Sequence, residues 1–202
     1  MVIAYSRRSQ RLGARLDDFT HLSVLISIVL GLGLTNLLMG LARVIQMRDR
    51  VKIYWPTLAW AFTLLLVHVQ TWWTMFGLRE VDHWTFQAFA ITLLQPILLF
   101  FLSALALPDF DRDETLDLRA NYFAQTRWFF GILIALALVS LLRNEILKGR
   151  LPPETDFIFH LVFIVGAAGG ALFTNETYHK MLAPLSTVVY VLYIALLFTA
   201  LQ

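Results

Sequence analysis

No cysteine occurs among these 202 residues. That excludes disulfides, thiolate metal sites, iron–sulfur clusters and covalently attached haem c. It says nothing of compartment, because a chain without thiols is safe in any redox environment. The short motifs HExxH, GxSxG, GxxxxGK[ST] and GxGxxG are missing as well, and no enzymatic activity is expected. Charge of either sign is sparse. The 16 basic and 14 acidic residues nearly cancel, so no field draws the chain to nucleic acid or another polyanion. No Asp, Glu, Lys or Arg lies near the middle of any of the long apolar stretches described next. Coupled transporters and pumps commonly rely on intramembrane carboxylates, so a coupled mechanism loses weight. A retinal Schiff base would need a mid-span lysine, and Lys180 stands at a stretch end.

What remains is overwhelmingly apolar. Apolar residues make up 58% of the chain and mean hydropathy is +0.68, whereas soluble domains hold about half apolar residues. Six stretches carry this excess, over residues 22–45, 55–78, 84–107, 128–147, 157–173 and 181–201. A hydrocarbon core about 30 Å thick needs roughly 20 apolar residues of helix. Backbone groups in lipid must be satisfied internally, so these stretches read as helices. The expected fold is all-α, a polytopic membrane protein built as a bundle of six transmembrane helices in a single membrane domain, 1–202. Residues 1–20 read as a basic arm or an interfacial helix. The first apolar run is longer than a secretory signal core and continues into MRDRVK, so it reads as a retained helix.

Six spans put Arg7, Arg8, Arg11, Arg15, Arg79, Arg143, Lys148 and Arg150 on one side. Arg43, Arg48, Arg50, Lys52, Arg112, Arg119, Arg127 and Lys180 fall on the other. The division is even, and only the tight cluster from Arg43 to Lys52 argues for a cytoplasmic first loop. Trp55, Trp84 and Trp128 stand where helices enter the membrane, the place of aromatic belts. Pro96 and Pro184 lie inside stretches. Gly33 and Gly40 in the first stretch, and the GxxxG of Gly166 and Gly170 in the fifth, mark close helix crossings. These crossings serve either packing within the bundle or a homo-oligomer interface.

Polar residues at depth are the strongest functional signal. Asn36, His68 and Gln95 come within about one to two helical turns of one plane at 1.5 Å per residue, which suggests a cluster between the first three helices. With Gln70 and Thr92 they are the candidate pore or ligand residues. The alternative is hydrogen-bonded glue between helices, worth about 0.6 kcal/mol each. His68 is the candidate for a pH response, since an unperturbed imidazole titrates near about pH 6.5. A b-type haem needs two imidazoles at one depth. His68 and His160 are the only candidate pair, and their depths differ by roughly 5–10 Å, so no cofactor is expected. No metal site is expected either. Asp109, Asp111, Asp113, Glu114 and Asp117 lack the spacing grammar of a calcium loop and read as a solvated turn.

The segments LISIVLGLGLTNLLMGLARVIQ, VHVQTWWTMFGL and RANYFAQTRWFFGILIALALVSLLR resemble an uncharacterised family of small bacterial multi-span membrane proteins. The resemblance covers about the first 150 residues. It implies a bacterial cytoplasmic membrane and no particular activity, cofactor or catalytic residue. The expected partners are the lipid bilayer, further copies of the chain and a partner membrane subunit. Three functions fit. The first is an oligomeric channel or uncoupled transporter for ions or small solutes. A non-catalytic accessory or scaffold subunit is the alternative, and a haem or quinone redox protein comes third.

Overall fold

The computed structural model describes residues 2–81, 84–108 and 115–199. Six long helices follow one another: α1 (Val2–Gln46), α2 (Trp55–Thr74), α3 (Phe86–Ala106), α4 (Leu118–Lys148), α5 (Glu154–Leu172) and α6 (Glu176–Thr199). Each is long and apolar enough to cross a membrane. The chain is therefore an all-α, multi-pass membrane protein with a six-helix bundle. Two details differ from the sequence expectation. The backbone of residues 2–19 is helical and continuous with the first span. The fourth helix begins at Leu118, ten residues ahead of its apolar stretch, because Asp117 caps it there. Asp109, Asp111, Asp113 and Glu114 of the acidic turn, and the last residues of the sixth stretch, lie outside the described residues.

Local chemistry sets the helix ends. Pro56 stands in the first turn of α2, where its missing N–H is no loss. The Thr85 hydroxyl accepts from the Ala88 N–H at the start of α3. Asp117 Oδ1 accepts from the N–H groups of Arg119 and Ala120. Gly149, at φ 61°, closes α4 in the left-handed conformation that glycine adopts without strain.

Packing is most extensive for α3 against α1 and α4, and for α4 against α5; α2 packs on α6, α3 and α1. The connections after α1, α3 and α5 share one face. There, two short strands, β1 (Val51–Lys52) and β2 (Leu116–Asp117), pair in parallel. The Lys52 ammonium lies 3.6 Å from the Asp117 carboxylate, and Arg119 grips Glu176 Oε2 through Nε (3.0 Å) and Nη2 (2.6 Å).

The half of the bundle beside that face is filled with rings. Trp60 meets Phe129 and Phe130 edge-on, at centroid distances of 5.3 and 5.5 Å. Fully buried His179 lies among Tyr122, Phe123 and Phe130. Its Nε2–H donates to the Phe173 carbonyl (2.8 Å), which leaves Nδ1 to accept from the Tyr122 hydroxyl (3.0 Å). Outward faces are apolar: Ile28, Leu32, Phe62, Val165 and Leu185 are all more than half exposed. In water that would be a solubility fault, but in a bilayer it is the solvated surface.

The four glycines singled out from the sequence all meet side chains of this same chain. A Cβ at Gly33 would lie 2.5 Å from His68 Nε2, one at Gly40 2.7 Å from Leu107 Cβ, one at Gly166 3.3 Å from Leu182 and one at Gly170 2.8 Å from the Phe130 ring.

Two predictions follow from this packing. Gly170→Ala forces a methyl group onto a ring already held by Trp60 and Phe129, so it should destabilise by about 1–3 kcal/mol. Gly131→Ala, with nothing within 4 Å, should leave the unfolding midpoint in detergent unchanged or raise it. The Asp117 carboxyl is held below its ordinary 3.8, first by the Ala120 N–H and then by Lys52 and the Arg119 N–H. A carboxyl lowered in the folded state stabilises above its unfolded pKa, and that contribution disappears as pH falls through the folded value. Unfolding midpoints measured from neutrality to below about pH 4 should fall less steeply in Asp117→Ala than in wild type.

Candidate functional site

The half of the bundle away from the aromatic rings is hollow. A cavity of about 370 Å³ opens between α2, α4, α5 and α6, with Gln95 of α3 in its wall. Along α2 the lining runs from Trp60 to Thr74, roughly 20 Å at 1.5 Å per residue, and continues past the helix to Val81. Helical periodicity selects the lining. Trp60, Thr63, Leu64, Val67, Gln70, Thr71 and Thr74 recur at three- and four-residue steps on α2. Leu133, Leu136, Ser140, Arg143, Asn144 and Lys148 do so on α4, and Asp156, Phe159, His160 and Phe163 on α5. Tyr190 and Tyr193 complete the wall from α6.

The polar groups form a graded set. Nearest the connection between α4 and α5 are Arg143, Lys148 and Asp156. The Tyr193 hydroxyl donates to Asp156 Oδ1 at 2.6 Å. His160 Nδ1 lies 2.8 Å from the Asp156 carbonyl and 3.5 Å from its Oδ1. Both neighbours are acceptors, so Nδ1 carries the proton and Nε2 accepts from the Ser140 hydroxyl at 3.0 Å. Further in, Tyr190 donates to Gln70 Oε1 at 2.5 Å. The Thr71 hydroxyl and Gln95 Oε1 are buried with no hydrogen-bond partner. Deepest of all, the hydroxyls of Thr63 and Thr187 meet at 2.7 Å, each also within hydrogen-bond reach of a carbonyl one turn back, Ala59 (2.9 Å) and Ala183 (3.0 Å).

Trp60 closes the inner end. It also lines a second void of about 10 Å³ with Thr57, Tyr122, Gln125 and Thr126, about the room one water needs. The Thr57 hydroxyl is buried there without a partner.

The residues chosen from sequence are thereby divided between two places. Gln70 and Gln95 line the cavity. His68 does not: it is buried between helices, with Nδ1–H donating to the Leu64 carbonyl (2.7 Å), Nε2 3.4 Å from Ser103 Oγ and its ring against Gly33. Thr92 is buried and donates to the Ala88 carbonyl, while Asn36 is half-buried on α1; neither is in the lining. Residues two apart on a helix point about 200° apart at 3.6 residues per turn, so His68 and Gln70 face opposite ways. His68 and His160 each have both ring nitrogens beside groups of this chain. Among the described residues no group of three or more His, Cys, Asp or Glu is placed to hold a metal ion.

Arg143, Asn144, Asp156, Tyr190 and Tyr193 are the lining residues that sequence reasoning missed. They sit toward helix ends, where charge and aromatics ordinarily mark the interface. Their signal was the helical spacing of Ser140–Arg143–Asn144 and Asp156–His160, which aligns polar side chains on inward faces.

Tyr193→Phe removes the donor to Asp156 and should lower stability by about 0.6 kcal/mol, the average for such bonds in a membrane. Reversible unfolding in detergent measures it, and Tyr178→Phe on the opposite side of the rings is the comparison.

No protein-family model matches the chain, and no curated protein and no solved structure matches it.

Proposed function

We propose that this protein provides a gated path for a small solute across its membrane, as a channel or uncoupled transporter, and that the cavity is the solute's binding chamber. The observation that carries this reading is a large hollow inside a membrane bundle, with Gln70, Gln95, Arg143 and Asp156 set into a largely apolar wall. If the polar groups served only to join helices, they would pair with one another and the helices would close on them. Some do pair, as Tyr190 does with Gln70, yet the space between the helices stays open. Its volume lies within the roughly 300–1,000 Å³ range of small-molecule sites. Amide groups at depth, here Gln70 and Gln95, are costly in hydrocarbon and are characteristic of substrate pathways.

The path reaches Trp60 from one side and is stopped there. Beyond it lies only a mostly apolar-walled void of about 10 Å³, so on this reading the rings around Trp60 act as the barrier and the chain stands in a closed state. The host membrane is taken to be a bacterial cytoplasmic membrane, on the resemblance drawn from the sequence. Gln70 and Gln95 keep the role of solute contacts. His68, Thr92 and Asn36 hold helices instead.

The test is flux into proteoliposomes, with small neutral and charged solutes compared. Wild type should exceed empty liposomes. Trp60→Leu should raise flux by thinning the barrier, and Gln70→Leu should alter which solutes pass. His68→Gln should leave flux unchanged while lowering the unfolding midpoint. If no solute passes above background in wild type or in Trp60→Leu, with both proteins folded, the accessory-subunit reading replaces this one.

A further inference from the structure

Among the described residues, the cavity carries a charge well inside its wall that no contact neutralises. Arg143 projects from α4 into the lining. Among the described residues its guanidinium makes no hydrogen bond and no ion pair, although it lies in the electrostatic field of Asp156 and Tyr193. A guanidinium is always charged and presents five N–H donors in a planar fork. Leaving such a group without a partner beside hydrocarbon is unfavourable, and intramembrane arginines pair. Asp156 is the natural partner, yet its Oδ1 accepts the Tyr193 hydroxyl at 2.6 Å and stands 3.5 Å from His160 Nδ1. That oxygen is engaged within its own side of the cavity, and neither carboxylate oxygen reaches the guanidinium.

The balance of the lining agrees. Arg143 and Lys148 are positive and Asp156 is negative. The chamber therefore favours an anion. The matching group for a planar fork is an oxyanion, which takes two parallel N–H···O bonds. Adjacent to Arg143, the rings of Phe159, Phe163 and Tyr190 form an apolar wall in the same cavity.

We infer that Arg143 is an anion-binding residue, and that the cavity takes a carboxylate or phosphate carried on a small apolar body. The oxyanion sits on the guanidinium fork and the body lies along the ring wall. This rests on the reading of the cavity as a binding chamber and narrows it to a ligand class. The same chemistry has two sources, a free organic acid entering from water and the headgroup of an anionic lipid.

Benzoate and phenyl phosphate serve as probes, with benzamide as the uncharged match. Each is added to the purified chain in detergent at constant ionic strength, and binding is read calorimetrically and as a shift in unfolding midpoint. Benzoate should bind at least about tenfold more tightly than benzamide, the factor that one charge-assisted hydrogen bond supports. Arg143→Gln should abolish the difference. Arg143→Lys should retain part of it, because a lysine keeps the charge and loses the fork. Equal binding of benzoate and benzamide to wild type overturns the inference, and so does an anion preference that survives in Arg143→Gln. Because the wild-type comparison stands alone, a variant that fails to fold does not remove the test.

Repeating the titration in vesicles of phosphatidylcholine with and without phosphatidylglycerol separates the sources. Competition by the anionic lipid assigns the site to a headgroup, and its absence assigns it to a free acid. Anion binding without flux of any solute would remove the pathway reading and leave the site. Flux without anion preference would remove the site and leave the pathway.

Discussion

Everything in this bundle is arranged around one packed layer of rings. Trp60 of α2 meets Phe129 and Phe130 of α4 edge-on, and His179 of α6 packs tilted against Phe130, all with almost no exposure. The layer is tight because α5 brings glycine to it: Gly170 leaves only enough room for the Phe130 ring. It is also hydrogen-bonded at its polar point, since both nitrogens of His179 are satisfied, by Tyr122 and by the Phe173 carbonyl. A buried imidazole without those partners would be costly, because unpaired polar groups lose their hydration.

Pinning α2, α4, α5 and α6 together at this end has a geometric consequence. Large rings separate the helix axes, and beyond them α2 and α4 turn smaller side chains to the hollow, Thr63, Val67, Thr71, Ala137 and Ser140, opposite the larger Phe159, Phe163, Tyr190 and Tyr193 of α5 and α6. Interiors normally fill to crystal-like density, but helices held apart at one end cannot close on small side chains at the other. The hollow that results is lined by residues able to meet water or a solute. Its hydrogen bonds run between helices far apart in sequence, Gln70 to Tyr190 and Asp156 to Tyr193, so the walls are tied without being sealed.

The face nearest the rings is stapled differently. Lys52, Asp117, Arg119, Glu176 and Lys180 link the connections after α1, α3 and α5. Most of these pairs are exposed and individually weak. Their number, with the short parallel strand pair, fixes the order of the helices at that end. The gated-path reading depends on this asymmetry, with one end stapled and filled and the other open.

The sequence by itself determined the solvent, the helices and their number. Six apolar stretches long enough to cross a bilayer admit few other structures, because lipid offers no partner for a free backbone group. It also marked the tight glycines Gly33, Gly40, Gly166 and Gly170, whose constraint is steric. It brought Gln70 and Gln95 forward by depth alone. Depth could not say which way each residue faces or which helix stands opposite. For that reason His68 was grouped with Gln70, on the other side of its own helix, while Arg143 counted only toward the charge balance and Asp156 and Tyr193 drew no notice. Only the tertiary structure decided that α2 lies against α6 and that α4 and α5 turn their polar stripes inward. Those choices arise from side chains more than a hundred residues apart, such as Gln70 and Tyr190, finding each other across a bundle, and no local period in the chain records that meeting.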